Sequence, residues 1–148
     1  MLNIEFDLAM KVANISRQAG DEIMAIYATD FPVNTKNDQT PVTTADHIAE
    51  QFILKAILTE ITTDFPIVSE EAASAGQTPT VDDAPFWLID PLDGTKEFIN
   101  RNGEFTVNIA LINKFLPVLG IVHLPAQNTT YVGFSDGAYR IHASTPYE

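Results

Sequence analysis

The chain predicts an α+β protein in which two N-terminal helices pack on a mostly antiparallel sheet. Two segments, residues 4–27 and 44–62, repeat apolar residues at helical spacing. From Phe105 onward the pattern changes to short β-rich runs separated by turn signals. Helices first and strands afterwards suit an α+β domain better than alternating βαβ units.

In the first segment Ile4, Leu8, Val12, Ile15, Ala19, Ile23 and Ile26 mark one amphipathic face. Phe31-Pro32 ends it, and 34–40 reads as a polar loop. In the second segment the face is Ile48, Phe52, Ile53, Ala56, Ile57 and Ile61. Thr43 or Thr44 is placed to cap this helix, and Asp46 falls in or beside the first turn, where a carboxylate suits the helix dipole. Phe65-Pro66-Ile67-Val68 reads as a short strand ending at Ser69-Glu70-Glu71, and 72–84 as a surface loop. Residues 86–89 form a buried strand that ends at Asp90, and a short helix follows at 95–100. Strands are expected at 105–112, 118–123, 131–134 and 138–141, with hairpin signals at Asn113-Lys114 and Ser135-Asp136-Gly137. No capping element follows the last strand, which leaves an unpaired sheet edge and favours self-association as a homodimer.

Composition removes several classes of function. The 148 residues include no cysteine, so there is no disulfide, thiolate zinc site or cysteine nucleophile. Eight Lys and Arg against twenty Asp and Glu give a net charge of -12, which excludes a basic nucleic-acid-binding surface. A protein this acidic that handles phosphates must neutralise them locally, and divalent cations are the usual means. No apolar run is long enough to span a bilayer, and the N-terminus lacks the basic region of a signal peptide. The expected location is the cytoplasm, with peripheral attachment to the cytoplasmic face of the inner membrane left open.

The chemistry concentrates in Trp87-Leu88-Ile89-Asp90-Pro91-Leu92-Asp93-Gly94-Thr95-Lys96-Glu97-Phe98. Asp90 and Asp93 flank a proline of fixed φ and one apolar residue, so a tight turn can direct both carboxylates and the Leu92 carbonyl at one point. These are hard oxygen donors with no cysteine or histidine beside them, which selects magnesium, or manganese, over zinc. Carboxylates gathered this closely repel one another unless a cation is present. Gly94 permits close backbone approach and unusual φ. Thr95 can cap the short helix, whose first N–H groups form an anion site. Glu70, like Asp90, follows a short strand and is the third expected ligand. Each piece alone has a plainer reading, as a solvated turn, a strand-end glutamate pair or a helix cap. Their occurrence together, in this order, is what points to phosphate ester chemistry. His47, His123 and His142 are scattered and read as ordinary polar or β-surface positions, and Lys96 as a surface residue.

Pro41-Val42-Thr43-Thr44-Ala45-Asp46, Ser69-Glu70-Glu71 and the run from Trp87 to Thr95 together resemble the inositol monophosphatase superfamily of metal-dependent, lithium-sensitive phosphatases. The continuation from Lys96 to Ile112 is similar to the 3'(2'),5'-bisphosphate nucleotidase branch, the CysQ type. The resemblance implies the N-terminal α+β part of the layered sugar-phosphatase fold over residues 1–148, without the C-terminal α/β domain. It implies that Glu70, Asp90 and the Leu92 carbonyl bind one magnesium ion, while Asp90 and Asp93 hold a second. It further implies that the backbone of Leu92, Asp93, Gly94 and Thr95 grips the phosphate. Thr95, bonded to Asp46 and assisted by Glu70, would orient and deprotonate the attacking water. The resemblance implies a complete site that takes two or three Mg2+, accepts Mn2+ and is inhibited by Li+. The implied reaction converts adenosine 3',5'-bisphosphate to AMP and phosphate and clears a by-product of sulfate assimilation. The alternatives are an inositol-1-phosphate or sugar phosphatase of the same superfamily, or an inactive truncated fragment that binds metal or a partner. Trp87 is the only tryptophan and is followed by Leu88, so the family's further Trp-Asp metal ligand is absent from these residues. The chain alone is therefore expected to be weakly active or inactive.

Overall fold

Helix α1 (Phe6–Tyr27) and helix α2 (Thr40–Ala56) lie against each other on one face of a six-stranded sheet. The computed structural model describes residues 4–29, 40–69 and 84–142. The predicted loop at 34–40 and most of the loop at 72–84 lie outside the described residues.

α1 follows the sequence expectation and buries Val12, Ile15, Ala19 and Ile23. α2 begins at Thr40, before the expected start, with Pro41 in its first turn, where a missing N–H is tolerated. Thr44 is therefore inside the helix rather than at its cap, and Asp46 lies in the second turn, with no acidic residue in the first. α2 passes into a π-helical turn, Ile57–Ile61, that closes where the periodicity ends.

The strands are β1 (Ile67–Ser69), β2 (Phe86–Asp93), β3 (Thr106–Asn113), β4 (Leu116–Leu124), β5 (Thr129–Phe134) and β6 (Gly137–His142). They lie in sequence order across the sheet. β1 runs parallel to β2, and every later neighbour is antiparallel. Helix α3 (Thr95–Ile99) joins β2 to β3. The β3–β4 turn sits one residue later than its sequence signal, with Lys114 and Phe115 both at positive φ, 51° and 63°. This is the left-handed pairing that a two-residue hairpin demands.

Alternation along the strands sets the core. Trp87, Ile89, Ile109, Leu111, Leu119 and Ile121 point at the helices and are at most 2% exposed. α1 sits very close to β4. A Cβ on Gly20 would stand 2.7 Å from His123 Cδ2 and Nε2 and 3.2 Å from the Pro125 ring. His123 is accordingly buried, not on the β-surface as its scattered position in the sequence predicts. Its Nδ1 pairs with the Thr130 hydroxyl at 2.8 Å.

Candidate active site

The sequence predicts that β2 ends at Asp90, but the strand continues through Pro91 to Asp93. It does so with a bulge. Asp90 pairs with Asn108 and Asp93 with Thr106, so three steps along β2 match two along β3. Proline is tolerated at such an irregularity because no ladder N–H is needed there. In a regular strand, residues three apart face opposite sides. The extra residue puts Asp93 on the same face as Asp90, the face shared by their partners Thr106 and Asn108.

Asn108 joins the two carboxylates. It lies directly across from Asp90, and its Nδ2 donates to Asp93 Oδ2 at 3.4 Å. Its Oδ1 is buried with no hydrogen-bond partner among the described residues. Sequence reading missed this residue. The signal was an asparagine inside a β-rich run, a type depleted in strands.

Leu92, between the aspartates, is 3% exposed and anchors the turn in the core. Gly94 adopts φ 95°, and a Cβ there would stand 3.1 Å from the Phe105 backbone, so glycine is required on both counts. Gly94, not Thr95, occupies the cap position of α3; its carbonyl accepts from Phe98 N at 2.9 Å. Thr95 is the exposed first helical residue, followed by the exposed Lys96.

α3 is too short to hold itself. Phe98 is fully buried, with its ring 5.3 Å from Tyr27 and 5.2 Å from Phe105. Just beyond, Arg101 donates from Nη1 to the Tyr27 carbonyl at 2.9 Å and from Nη2 to the Thr29 carbonyl at 2.6 Å. Arg101 thereby satisfies carbonyls at the end of α1 and ties that end to α3.

Asp46 is half-buried on α2, which packs on β2 and also touches α3. Ser69, the last residue of β1, pairs with Ile89, the residue before Asp90. Glu70 itself lies outside the described residues. Among those described, no three His, Asp or Glu side chains gather as a metal cradle. The expected donors among the described residues, Asp90, Asp93 and the Leu92 carbonyl, are all hard oxygens, a type that fits magnesium. No described helix is long and apolar enough to cross a membrane.

Comparison with known proteins identifies the family of the fold. Residues 4–142 match the inositol monophosphatase family. The chain is 45% identical over 132 residues to the 3'(2'),5'-bisphosphate nucleotidase CysQ of Salmonella typhimurium, covering 88% of this chain and 53% of that protein. It is 41% identical over 136 residues to the protein of the same name from Aggregatibacter actinomycetemcomitans, covering 91% and 50%. The solved structure of CysQ from Bacteroides thetaiotaomicron superposes with a TM-score of 0.76 at 38% identity, over 95% of this chain and 51% of that one. The chain thus spans about half the length of the relatives it matches. With two helices on a mixed six-stranded sheet and an aspartate pair turned to one face by a bulge, the chain belongs to the inositol monophosphatase family.

Proposed function

We propose that this chain carries the metal- and phosphate-binding motifs of a 3'(2'),5'-bisphosphate nucleotidase. The complete enzyme removes the 3'-phosphate of adenosine 3',5'-bisphosphate, giving AMP and phosphate, in the cytoplasm as part of sulfate assimilation. The observation that carries the reading is the β2 bulge, which sets Asp90 and Asp93 on one face immediately before the left-handed Gly94. The substrate reading is supported by the names of relatives at 41% and 45% identity.

Glu70, Asp90, Asp93 and the Leu92 carbonyl are the residues that would hold magnesium. When bound, the metal supplies charge neutralisation for the phosphate and lowers the pKa of an attacking water. The rest is done by the chain. Gly94 leaves room for a phosphate beside the backbone, and the first turn of α3 leaves N–H groups without intrahelical acceptors. The Thr95 hydroxyl would orient the water and relay its proton to the Asp46 carboxylate, with Glu70 assisting, a contribution of about 10²–10⁴-fold. The contact of α2 with α3 puts the helices that carry Asp46 and Thr95 side by side.

Coverage of about half of each relative favours a second reading for the chain by itself: a folded part with weak turnover or none. Phosphate release with magnesium, measured for the chain fused to the remaining half of the Salmonella relative, tests both readings. Preferential, magnesium-dependent and lithium-sensitive hydrolysis of adenosine 3',5'-bisphosphate is expected, with little from the chain alone. Preference for inositol 1-phosphate would overturn the substrate, and activity independent of magnesium would overturn the metal.

A further inference from the structure

Arg101 stands where glycine is the usual residue. Helix α3 ends at Ile99 with Asn100 as its cap, and Arg101 follows at φ 57°. The Arg101 N–H donates to the Phe98 carbonyl and the Asn102 N–H to the Glu97 carbonyl, both at 3.2 Å. These two bonds close a Schellman motif, whose left-handed position is usually glycine. Any residue with a Cβ is strained there. Such strain persists only where the surroundings hold the residue in place, and it clusters around functional sites.

The side chain accounts for the choice. Its guanidinium turns back to α1 and donates to the Tyr27 and Thr29 carbonyls at 2.9 and 2.6 Å. It also lies 5.6 Å from the centre of the Tyr27 ring. A planar fork serves two carbonyls and a ring face together, which the compact ammonium of lysine does not. The Tyr27 ring lies 5.3 Å from Phe98 and 4.9 Å from Phe105, and those two are 5.2 Å apart. Both of them bear on Gly94. The Phe98 N–H donates to the Gly94 carbonyl at 2.9 Å, and Phe105 Cα lies 3.1 Å from where a Gly94 Cβ would stand. Contacts therefore run without a break from Arg101 through the end of α1 and Tyr27 to the rings and Gly94.

We propose that Arg101 is a positioning residue, which acts through Tyr27 to fix the Gly94–Thr95 turn assigned above to the phosphate. The inference rests on that reading for the ligand, but not for the path of contacts. Arg101 is exposed, and the small stability its bonds add is close to what its left-handed backbone takes away. Its net effect on folding is small, so what the clamp contributes is geometry. A turn already held in its binding arrangement leaves less to be ordered when phosphate arrives, and binds it more tightly.

The test compares Arg101→Gly, Arg101→Lys and Tyr27→Leu. Melting and hydrogen exchange are measured on the 148-residue chain. Binding of inorganic phosphate with magnesium, and hydrolysis of adenosine 3',5'-bisphosphate, are measured on its fusion with the remaining half of the Salmonella relative. Arg101→Gly relieves the backbone as it removes the clamp, so it should melt at nearly the natural temperature. Exchange over residues 94–98 should nevertheless quicken, phosphate should bind more weakly and KM should rise, each about tenfold or more. A loss of folded protein would instead lower kcat and leave KM where it was. Arg101→Lys should show the same losses as Arg101→Gly, and so should Tyr27→Leu, which takes away the ring. Unchanged exchange in Arg101→Gly, unchanged phosphate binding and KM, or full recovery in Arg101→Lys would each overturn the proposal. An unsubstituted fusion that hydrolyses no adenosine 3',5'-bisphosphate would remove the functional reading instead, and the exchange measurement would still decide whether Arg101 fixes the turn.

Discussion

Asn108 and Asp93, fifteen positions apart in sequence, meet because of one extra residue in β2. Asn108 Nδ2 reaches Asp93 Oδ2 at 3.4 Å while Asn108 stands directly opposite Asp90. One amide side chain is thereby a neighbour of both aspartates, and its buried oxygen has no described partner. A buried polar atom without a partner costs about 1–3 kcal/mol. Asn108→Val should therefore leave the metal-free chain as stable as before or more so. It should also weaken magnesium binding about tenfold or more, the usual size of an effect transmitted through a ligand's hydrogen-bond partner. Paired thermal melts and magnesium titrations of the two proteins check both signs; unchanged affinity would separate Asn108 from the metal site.

Asp90→Asn and Asp93→Asn, made in a complete enzyme, should each reduce turnover by several orders of magnitude and leave the fold intact. Both replacements keep the size of the side chain and remove the charge that, on the proposed function, would hold the cation. Near-normal rates at saturating magnesium, with unchanged circular dichroism, would contradict their roles.

His123 makes stability depend on pH. Burial against α1, and then the charge of Arg17, lower its pKa from 6.5 to about 4. Because the unfolded chain takes up a proton that the folded chain refuses, this stability is fully present above pH 6.5 and is lost as pH falls toward 4. The shift corresponds to at most about 3 kcal/mol. Urea unfolding at neutral and mildly acidic pH should show a steeper loss for the natural chain than for His123→Gln; equal slopes would refute the linkage.

Gly20→Ala tests the same contact from the helix side. Alanine is the better helix former by about 1 kcal/mol. Its Cβ would nevertheless stand 2.7 Å from the His123 ring. Overpacking costs about 1–3 kcal/mol, so the variant should be destabilised, with a lower melting midpoint. A raised midpoint would mean that the helix can move away from β4.

Phe98→Ala should be the most damaging substitution near the candidate site, costing about 3–5 kcal/mol through loss of a fully buried ring. Arg101→Ala removes two bonds to the end of α1, and at an exposed position should cost about 1 kcal/mol. Arg101→Lys should not restore it, since an ammonium lacks the planar fork that reaches two carbonyls. Hydrogen exchange along α3 would show whether that end of the helix loosens.

Much of this protein was legible from spacing alone. The helical period of Val12, Ile15, Ala19 and Ile23 marked α1 to its end at Tyr27, and the change to short β runs marked the antiparallel meander. Asp90, Asp93 and Gly94 could be singled out because they lie within one turn of chain, where local geometry alone brings groups together. What the tertiary structure decided was everything that depends on register and on distant neighbours. The bulge that turns Asp93 to the side of Asp90 exists only in the pairing with β3, and so does the role of Asn108. His123 is buried because Gly20, on another element, lets α1 come close. Periodicity is written in the order of residues, whereas the choice of which strand faces meet which helix is made by packing between segments far apart in the chain.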